Sequence, residues 1–347
     1  MRAPASLRPS LSTADLDHIL AHTEELWEEL HGEQLFVTGG TGFFGMWLLE
    51  SFLWANASFD LRARATVLTR NPAAFRERAP QVAGHSAITL LQGDVRSFEC
   101  PPGTFRFVLH AATEASVTLN EKQPVLMEET IVGGTERVLS FAREHDTERL
   151  LFISSGAVYG EQEAHTSAYA RGKRKAELLC QEVAQAHGLC IPIARCFAFV
   201  GPYLPLDIHY AIGNFIRDAI AGGPIRIRGD GTPLRSYLYM ADLAIWLWTM
   251  LLRAPSVQPY DVGSEDAVSI AELADIVAHS VHPPLGVERA EDPQPGRPPE
   301  RYVPSTKRAR QELGLQQWIT LPEAIRRTIN WYAREPRPAL ATSLTHP

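Results

Sequence analysis

Tyr169 and Lys173 stand four residues apart in a stretch of helical patterning that opens Ser167-Ala168-Tyr169-Ala170-Arg171-Gly172-Lys173. On a helix that spacing puts both side chains on one face. An ammonium beside a phenol lowers the phenol's pKa, and a positively charged cofactor ring would lower it further. The phenolate can then take a hydroxyl proton while the carbon bearing it gives up hydride. Ser155 ends the apolar run Leu150-Leu151-Phe152-Ile153-Ser154-Ser155 and is of the right type to hydrogen-bond the same oxygen. Tyr-x-x-x-Lys is common by chance, so its meaning depends on the elements around it.

Those elements include a place for a hydride carrier. The apolar run Gln34-Leu35-Phe36-Val37 passes into Thr38-Gly39-Gly40-Thr41-Gly42-Phe43-Phe44-Gly45, and an apolar helical pattern follows at once. Strand, glycine turn and helix in that order are what a dinucleotide-binding loop requires. Gly39 and Gly40 let the chain turn with backbone angles other residues avoid. Gly42 keeps side-chain atoms away from a pyrophosphate, and Gly45 lets helix and strand approach. The N–H groups opening the helix, around Phe43 and Phe44, face the phosphates. Further strands are predicted at 65–69, 88–91 and 105–109, each turning to small or polar residues at its carboxyl end, where open α/β sheets bind ligands. The first of these ends in Thr69-Arg70-Asn71-Pro72, with no acid to hold a ribose 2′-hydroxyl. Arg70 suits a 2′-phosphate, so NADP is favoured over NAD. Asp94 is placed to accept from an adenine amino group, Ala111 and Ala112 let a cofactor pass close, and His110 reads as structure rather than as a base.

Taken together, Thr38 to Gly45, Gly93-Asp94-Val95, His110-Ala111-Ala112, Ser154-Ser155-Gly156-Ala157-Val158-Tyr159-Gly160, Tyr169 with Lys173, and Arg195-Cys196-Phe197-Ala198-Phe199-Val200-Gly201-Pro202 resemble the extended short-chain dehydrogenase/reductase superfamily. The branch they resemble is the NAD(P)-dependent epimerases and dehydratases that act on nucleotide sugars. The resemblance runs in order through residues 34–332. It implies Ser155, Tyr169 and Lys173 as the catalytic triad, with Lys173 also holding the cofactor ribose, and Asp94 and Val95 along the adenine. It implies Arg235, after the turn Gly229-Asp230-Gly231, as a diphosphate ligand, since a guanidinium binds phosphate oxygens in pairs. Asn214 and Arg297 are further substrate candidates, and the family often forms homodimers through the helices carrying the catalytic residues. Three departures stand out. The stretch between Tyr159 and Tyr169 is shorter than the family shows. Gly156 and Ala157 occupy the positions of the Asp-Glu pair of sugar 4,6-dehydratases, which leaves only Glu161 or Glu163 to replace it. Ala198 stands where an asparagine is frequent.

The implied fold is α/β: a Rossmann-type, doubly wound parallel sheet with a smaller C-terminal α/β substrate domain. Expected boundaries are a tail and helix at 1–31, the cofactor domain at 32–200 with a strand near 258–264 returning to it, a substrate domain at 201–335 and a tail at 336–347. The early helix, capped by Thr13 or Asp15, packs on the first domain or on a second subunit. A chain of 347 residues that is 45% hydrophobic buries a large core without disulfides. A net charge of −7 disfavours nucleic acid and anionic membranes as partners. Cys100, Cys180, Cys190 and Cys196 show no paired metal-ligand spacing and read as buried free thiols of a reducing, cytoplasmic compartment. No metal is expected. Trp246 and Trp248 belong to a core helix.

The functional expectation is hydride transfer at a sugar carbon, C4, of a nucleoside-diphosphate hexose, by an epimerase or a 4-ketoreductase. Alternatives are a dehydratase, a reductase of a carbonyl compound lacking a nucleotide, and a nonenzymatic NAD(P)-binding regulator.

Overall fold

A computed structural model describes residues 10–113, 122–160, 167–208, 210–293, 296 and 298–334. The chain divides into two compact units, one of residues 1–197, 241–263 and 304–316, the other of residues 198–240, 264–303 and 317–347.

The first unit is built on a seven-stranded sheet, every pairing of which is parallel. Its strands are β1 (Gln34–Thr38), β2 (Arg64–Thr69), β3 (Ile88–Gln92), β4 (Phe107–His110), β5 (Arg149–Ser155), β6 (Ile193–Cys196) and β7 (Pro259–Val262). Their spatial order is β7-β6-β5-β4-β1-β2-β3. The order reverses between β1 and β4, and there the carboxyl ends open the crevice in which doubly wound sheets bind ligands. The connecting helices used below are α2 (Phe43–Ser58), α3 (Pro72–Arg78), α4 (Pro124–Glu144), α5 (Ala168–His187) and α6 (Met240–Arg253). They follow α1 (Thr13–Ala21).

Helix α2 is buried continuously from Gly45 to Ala55, consistent with its unbroken apolar sequence. Under the sheet, the Phe36 ring centre lies 4.2 Å from that of Phe141, tilted against it, and 5.3 Å from that of Phe98, stacked on it. The N-terminal helix packs on this same unit. Leu16, Ile19 and Leu20 are fully buried, Leu11 N donates to Glu50 at 3.0 Å, and His18 Nε2 meets the buried Asp242 at 3.1 Å. Its cap is Ser12, whose hydroxyl accepts from Asp15 N. Thr13 and Asp15, expected as caps, lie inside the helix, because Ser12 keeps the extended backbone a cap needs. Trp246 and Trp248 are core, their indole N–H groups satisfied by Gln316 O and Ser51 Oγ, each at 2.9 Å. Among the described residues no helix is long and apolar enough to cross a membrane.

The second unit gathers short strands and helices. Leu234–Arg235 lies between Val268–Ser269 and Arg301–Tyr302, Phe199–Val200 pairs with Leu238–Tyr239, and Ile225–Ile227 pairs with Val287–Arg289. Helices Ala211–Ala221, Ile270–Ala278 and Leu321–Arg334 cover them.

Candidate active site

The glycine loop joins β1 to α2 at the sheet's crossover. Gly39 has φ +72°, and a Cβ there would come within 2.5 Å of the Ala111 carbonyl carbon. A Cβ at Gly45 would sit 2.3 Å from Gly40 C, so only glycine lets α2 begin this close to the turn. Gly40 does not need a left-handed backbone, contrary to the sequence expectation. Its hydrogen leaves room for Val67, whose methyl would lie 2.7 Å from a Cβ. At Gly42, the N-cap of α2, a Cβ would meet nothing nearer than Gly39 O at 3.4 Å. Among the described residues no side chain caps α2, and the amino end of that helix, at Phe43 and Phe44, is the positive end of its dipole, where an anion is favoured. The cradle therefore fits a dinucleotide pyrophosphate.

The neighbouring strand ends complete it. Ala111 N donates to Thr38 O and Ala112 N to Thr38 Oγ1, both at 3.1 Å. His110 Nδ1 lies 2.8 Å from Thr38 Oγ1 and Nε2 3.1 Å from Thr135 Oγ1. Burial, with the Lys173 charge adding to it, pushes the imidazole pKa down to about 3, so His110 is neutral structure. Thr113 Oγ1, just beyond, is buried with no hydrogen-bond partner among the described residues. A buried hydroxyl left unsatisfied costs about 1–3 kcal/mol, and a bound ligand here would remove that cost. The sequence offered no signal for Thr113.

Asp94 receives Arg96 Nε at 2.8 Å and Nη2 at 3.1 Å, and Arg96 N at 2.9 Å. These bonds from Arg96 hold its carboxyl below the usual range, and the charge of Arg70 acts in the same direction. Arg70 is exposed at the carboxyl end of β2, beside β3. Arg78 of α3 donates to the Thr41 carbonyl within the glycine loop. Val95 packs against α4, where a Cβ on Gly134 would come within 2.9 Å of it.

The catalytic candidates lie at the carboxyl end of β5 and in the first turns of α5. Ser155 is 7% exposed, and its Oγ accepts from Ala157 N at 3.1 Å, which leaves the hydroxyl proton to donate. Lys173 is 2% exposed, and its Nζ donates to Ile153 O at 2.7 Å. It lies 5.0 Å from the ring centre of Phe152 and 6.0 Å from that of Tyr169. Burial lowers the Lys173 pKa to about 8, with Cys196, Cys180 and Glu177 opposing the shift. The ammonium form therefore still predominates at pH 7. Tyr169 is half-buried on the same face of α5. Together they provide a hydroxyl donor, a phenol and a cation at one strand end, the set that removal of a proton from an alcohol requires.

Behind them lies a network not anticipated from the sequence. Glu177, one turn beyond Lys173 and 3% exposed, accepts from Ser154 Oγ at 2.5 Å. It pairs with Arg195, from Nη2 at 2.6 Å and from Nε at 3.0 and 3.2 Å. Arg195 Nη1 also donates to the Tyr159 hydroxyl, which donates to Asp261, each at 2.8 Å. The pairings span three strands, so no local pattern signals them. Phe197 closes on Gly156, where a Cβ would come within 2.6 Å of its ring. Neither Gly156 nor Ala157 offers an acid or base. Glu161 and Glu163 lie outside the described residues.

In the second unit, Arg235 Nη2 pairs with Glu300 at 2.9 Å, and its guanidinium carbon is 6.0 Å from the Tyr302 ring centre. Asn214 accepts from Arg217 Nη1 at 3.0 Å. Arg297 lies outside the described residues. All four cysteines are free, but Cys100 and Cys190 are only half-buried, a correction to the expectation that all were interior. Each sits in a connection between elements rather than within a core helix or strand.

Residues 35–263 match the model of the NAD dependent epimerase/dehydratase family. UDP-glucuronic acid decarboxylase 3 of Arabidopsis thaliana is 27% identical over 309 residues, covering 84% of this chain and 86% of that protein. Among solved structures, dTDP-glucose 4,6-dehydratase DesIV from Streptomyces venezuelae, with NAD bound, superposes with a TM-score of 0.73 at 25% identity, covering 86% of this chain and 97% of that one. The UDP-glucose 4-epimerase of Thermus thermophilus, in complex with NAD, gives a TM-score of 0.70 at 25% identity, covering 87% and 99%. With its glycine cradle, its Ser155, Tyr169 and Lys173 constellation and a family match across most of the chain, this protein belongs to the NAD dependent epimerase/dehydratase family, the extended short-chain dehydrogenase/reductases, and is an NAD(P)-dependent enzyme.

Proposed function

We propose that the enzyme acts on a nucleoside-diphosphate hexose and transfers hydride at C4, as an epimerase or a 4-ketoreductase. The observation that supports this reading is the buried Lys173, whose Nζ lies 6.0 Å from the Tyr169 ring centre and donates to Ile153 O on the strand that ends in Ser155. The nicotinamide, when bound, accepts and returns hydride. Tyr169 takes the proton of the sugar hydroxyl, Ser155 donates to the same oxygen, and Lys173 stabilises the phenolate and holds the cofactor ribose. Arg235 is assigned to the substrate diphosphate. Its partner Glu300 has a side chain 71% exposed, and so exposed a pair is worth about 0–1 kcal/mol. A phosphate group can displace it. Asn214 and Arg297 are assigned secondary roles in the same recognition.

Elimination of water from the sugar, a dehydratase's reaction, needs an acid and a base that Gly156 and Ala157 do not supply. A decarboxylase is the second reading, favoured by the relatives of that name. A ketone at C4 of a hexuronic acid stands β to the carboxylate, so the same oxidation would prepare loss of CO2.

Mass spectrometry of small molecules released by denaturing the purified protein, followed by incubation with UDP- and dTDP-hexoses, with their 4-keto derivatives plus NADPH, and with UDP-glucuronic acid, tests the reading. Epimerised or 4-keto-reduced product is expected. Release of CO2 from the hexuronic acid alone would establish the second reading, and reduction only of carbonyl compounds lacking a nucleotide would overturn both.

The cofactor is assigned as NADP on Arg70, which stands where a ribose-binding acid is absent. Charge-assisted bonds to phosphate contribute about 1.5–3 kcal/mol. Arg70→Ala should therefore weaken NADPH binding roughly 10- to 150-fold while leaving NADH within about twofold, as read by nicotinamide fluorescence titration. Equal effects on both cofactors would return the assignment to NAD.

A further inference from the structure

Away from the catalytic strand ends, the loop from β3 to β4 and the C-terminus of α4 bring a thiol, a carboxylate and an imidazole together. A ligand atom from each of Cys100, Glu144 and His145 lies within 4.8 Å of the other two. We propose that these three residues bind a divalent transition-metal ion of borderline softness, Zn2+.

Each ligand is positioned by contacts of its own. The loop bearing Cys100 is anchored through Phe98, buried against Phe36 and Phe141, and through Phe98 O, which accepts from Arg137 Nε at 3.1 Å and Nη2 at 2.6 Å. Glu144 Oε1 accepts from Ser140 Oγ at 2.8 Å, while Oε2 lies 3.9 Å from Cys100 Sγ. His145 stacks on Phe141 with ring centres 4.4 Å apart, and its Nδ1 lies 2.8 Å from Gly103 O. A carbonyl only accepts, so Nδ1 carries the proton and Nε2 keeps a lone pair, the arrangement in which metal-binding histidines are usually held.

The donor set selects the ion. Sulfur and imidazole nitrogen disfavour Mg2+ and Ca2+, which prefer oxygen, and suit zinc. Zinc bonds of about 2.3 Å to sulfur and 2.0–2.2 Å to nitrogen and oxygen place tetrahedral ligand atoms roughly 3.3–3.6 Å apart. From a separation of at most 4.8 Å, the side chains need close by no more than about 1.2–1.5 Å. Arg137 Nη2 also reaches the Cys100 sulfur, at 3.1 Å, and keeps its bond to Phe98 O when the sulfur turns to the metal. Cys100 gives its proton to solvent on binding, water fills the fourth position, and no electron is transferred. The ion would tie the returning loop to the end of α4, where Phe105 N already donates to His145 O at 2.9 Å. The site lies at the amino ends of β4 and β5, so it is structural rather than catalytic.

Cobalt supplies a readout independent of activity. Full-length protein stripped with a chelator and titrated with Co2+ should develop a sulfur-to-cobalt charge-transfer band that saturates at one equivalent and is erased by Zn2+. Cys100→Ser should lose the band with an unchanged circular dichroism spectrum. Cys190→Ser, altering the other half-buried thiol, should keep it. Absence of the band in the wild type, or its survival in Cys100→Ser, overturns the proposal.

Discussion

Replacing Tyr169 with Phe should lower kcat by about 10²–10⁴-fold, the usual contribution of a positioned acid–base group, and leave cofactor affinity nearly unchanged. The lost hydroxyl is the only change, and the ring keeps its place on α5. Lys173→Met should lose a comparable factor in kcat yet leave the protein as stable as the wild type or more so. The reason is the sign of the shift at Lys173, from 10.5 down to about 8. The fold disfavours the charged form by roughly 3 kcal/mol. At pH 7 both folded and unfolded chains are protonated, and that cost is fully present. Between pH 8 and 10.5 the unfolded chain binds more protons, so the cost falls as pH rises. Methionine removes the ammonium and forfeits the bond to Ile153 O, which offsets part of the gain. Urea unfolding at pH 7 and pH 9.5, beside steady-state rates, reads both effects. A Lys173→Met protein that unfolds several kcal/mol more easily at pH 7 would show that Lys173 is structural, and a Tyr169→Phe enzyme with ordinary turnover would remove Tyr169 from the chemistry.

Glu177→Ala should be the most destabilising single change near the site, by about 3–5 kcal/mol, because it leaves Arg195 half-interior with its main partner gone. The loss extends beyond the pair. Ser154 loses its acceptor, and Ser154 immediately precedes Ser155 on β5, so kcat should fall in whatever protein remains folded. Replacing both partners, Glu177→Leu with Arg195→Met, removes the unpaired charge and should recover most of the stability without recovering full activity. Denaturant midpoints for the single and double variants decide it. A Glu177→Ala variant within about 1 kcal/mol of wild type, the range of an exposed pair, would mean that the ion pair is solvated.

The strand, glycine turn and helix at 34–58, the order of strands and helices, and the Tyr169 and Lys173 face were legible in the sequence because each is a local property. An unbroken apolar run, a backbone angle open only to glycine and a four-residue helical repeat all act within a few residues. Local reading reached less far where contacts are remote. The N-terminal helix was visible by its periodicity, but its seat depended on Asp242, 224 residues from His18. Asp94, Asn214 and Arg235 stand out in the sequence only by their place in motifs, and only the folded chain shows that each is held by a neighbouring charged residue, Arg96, Arg217 and Glu300. Tertiary structure alone decided that Glu177 meets Arg195, that Tyr159 meets Asp261 across 102 residues, and that Cys100 lies beside Glu144 and His145. Those meetings follow from which strands the sheet sets side by side and from how loops return across it. Side-chain periodicity carries no record of either.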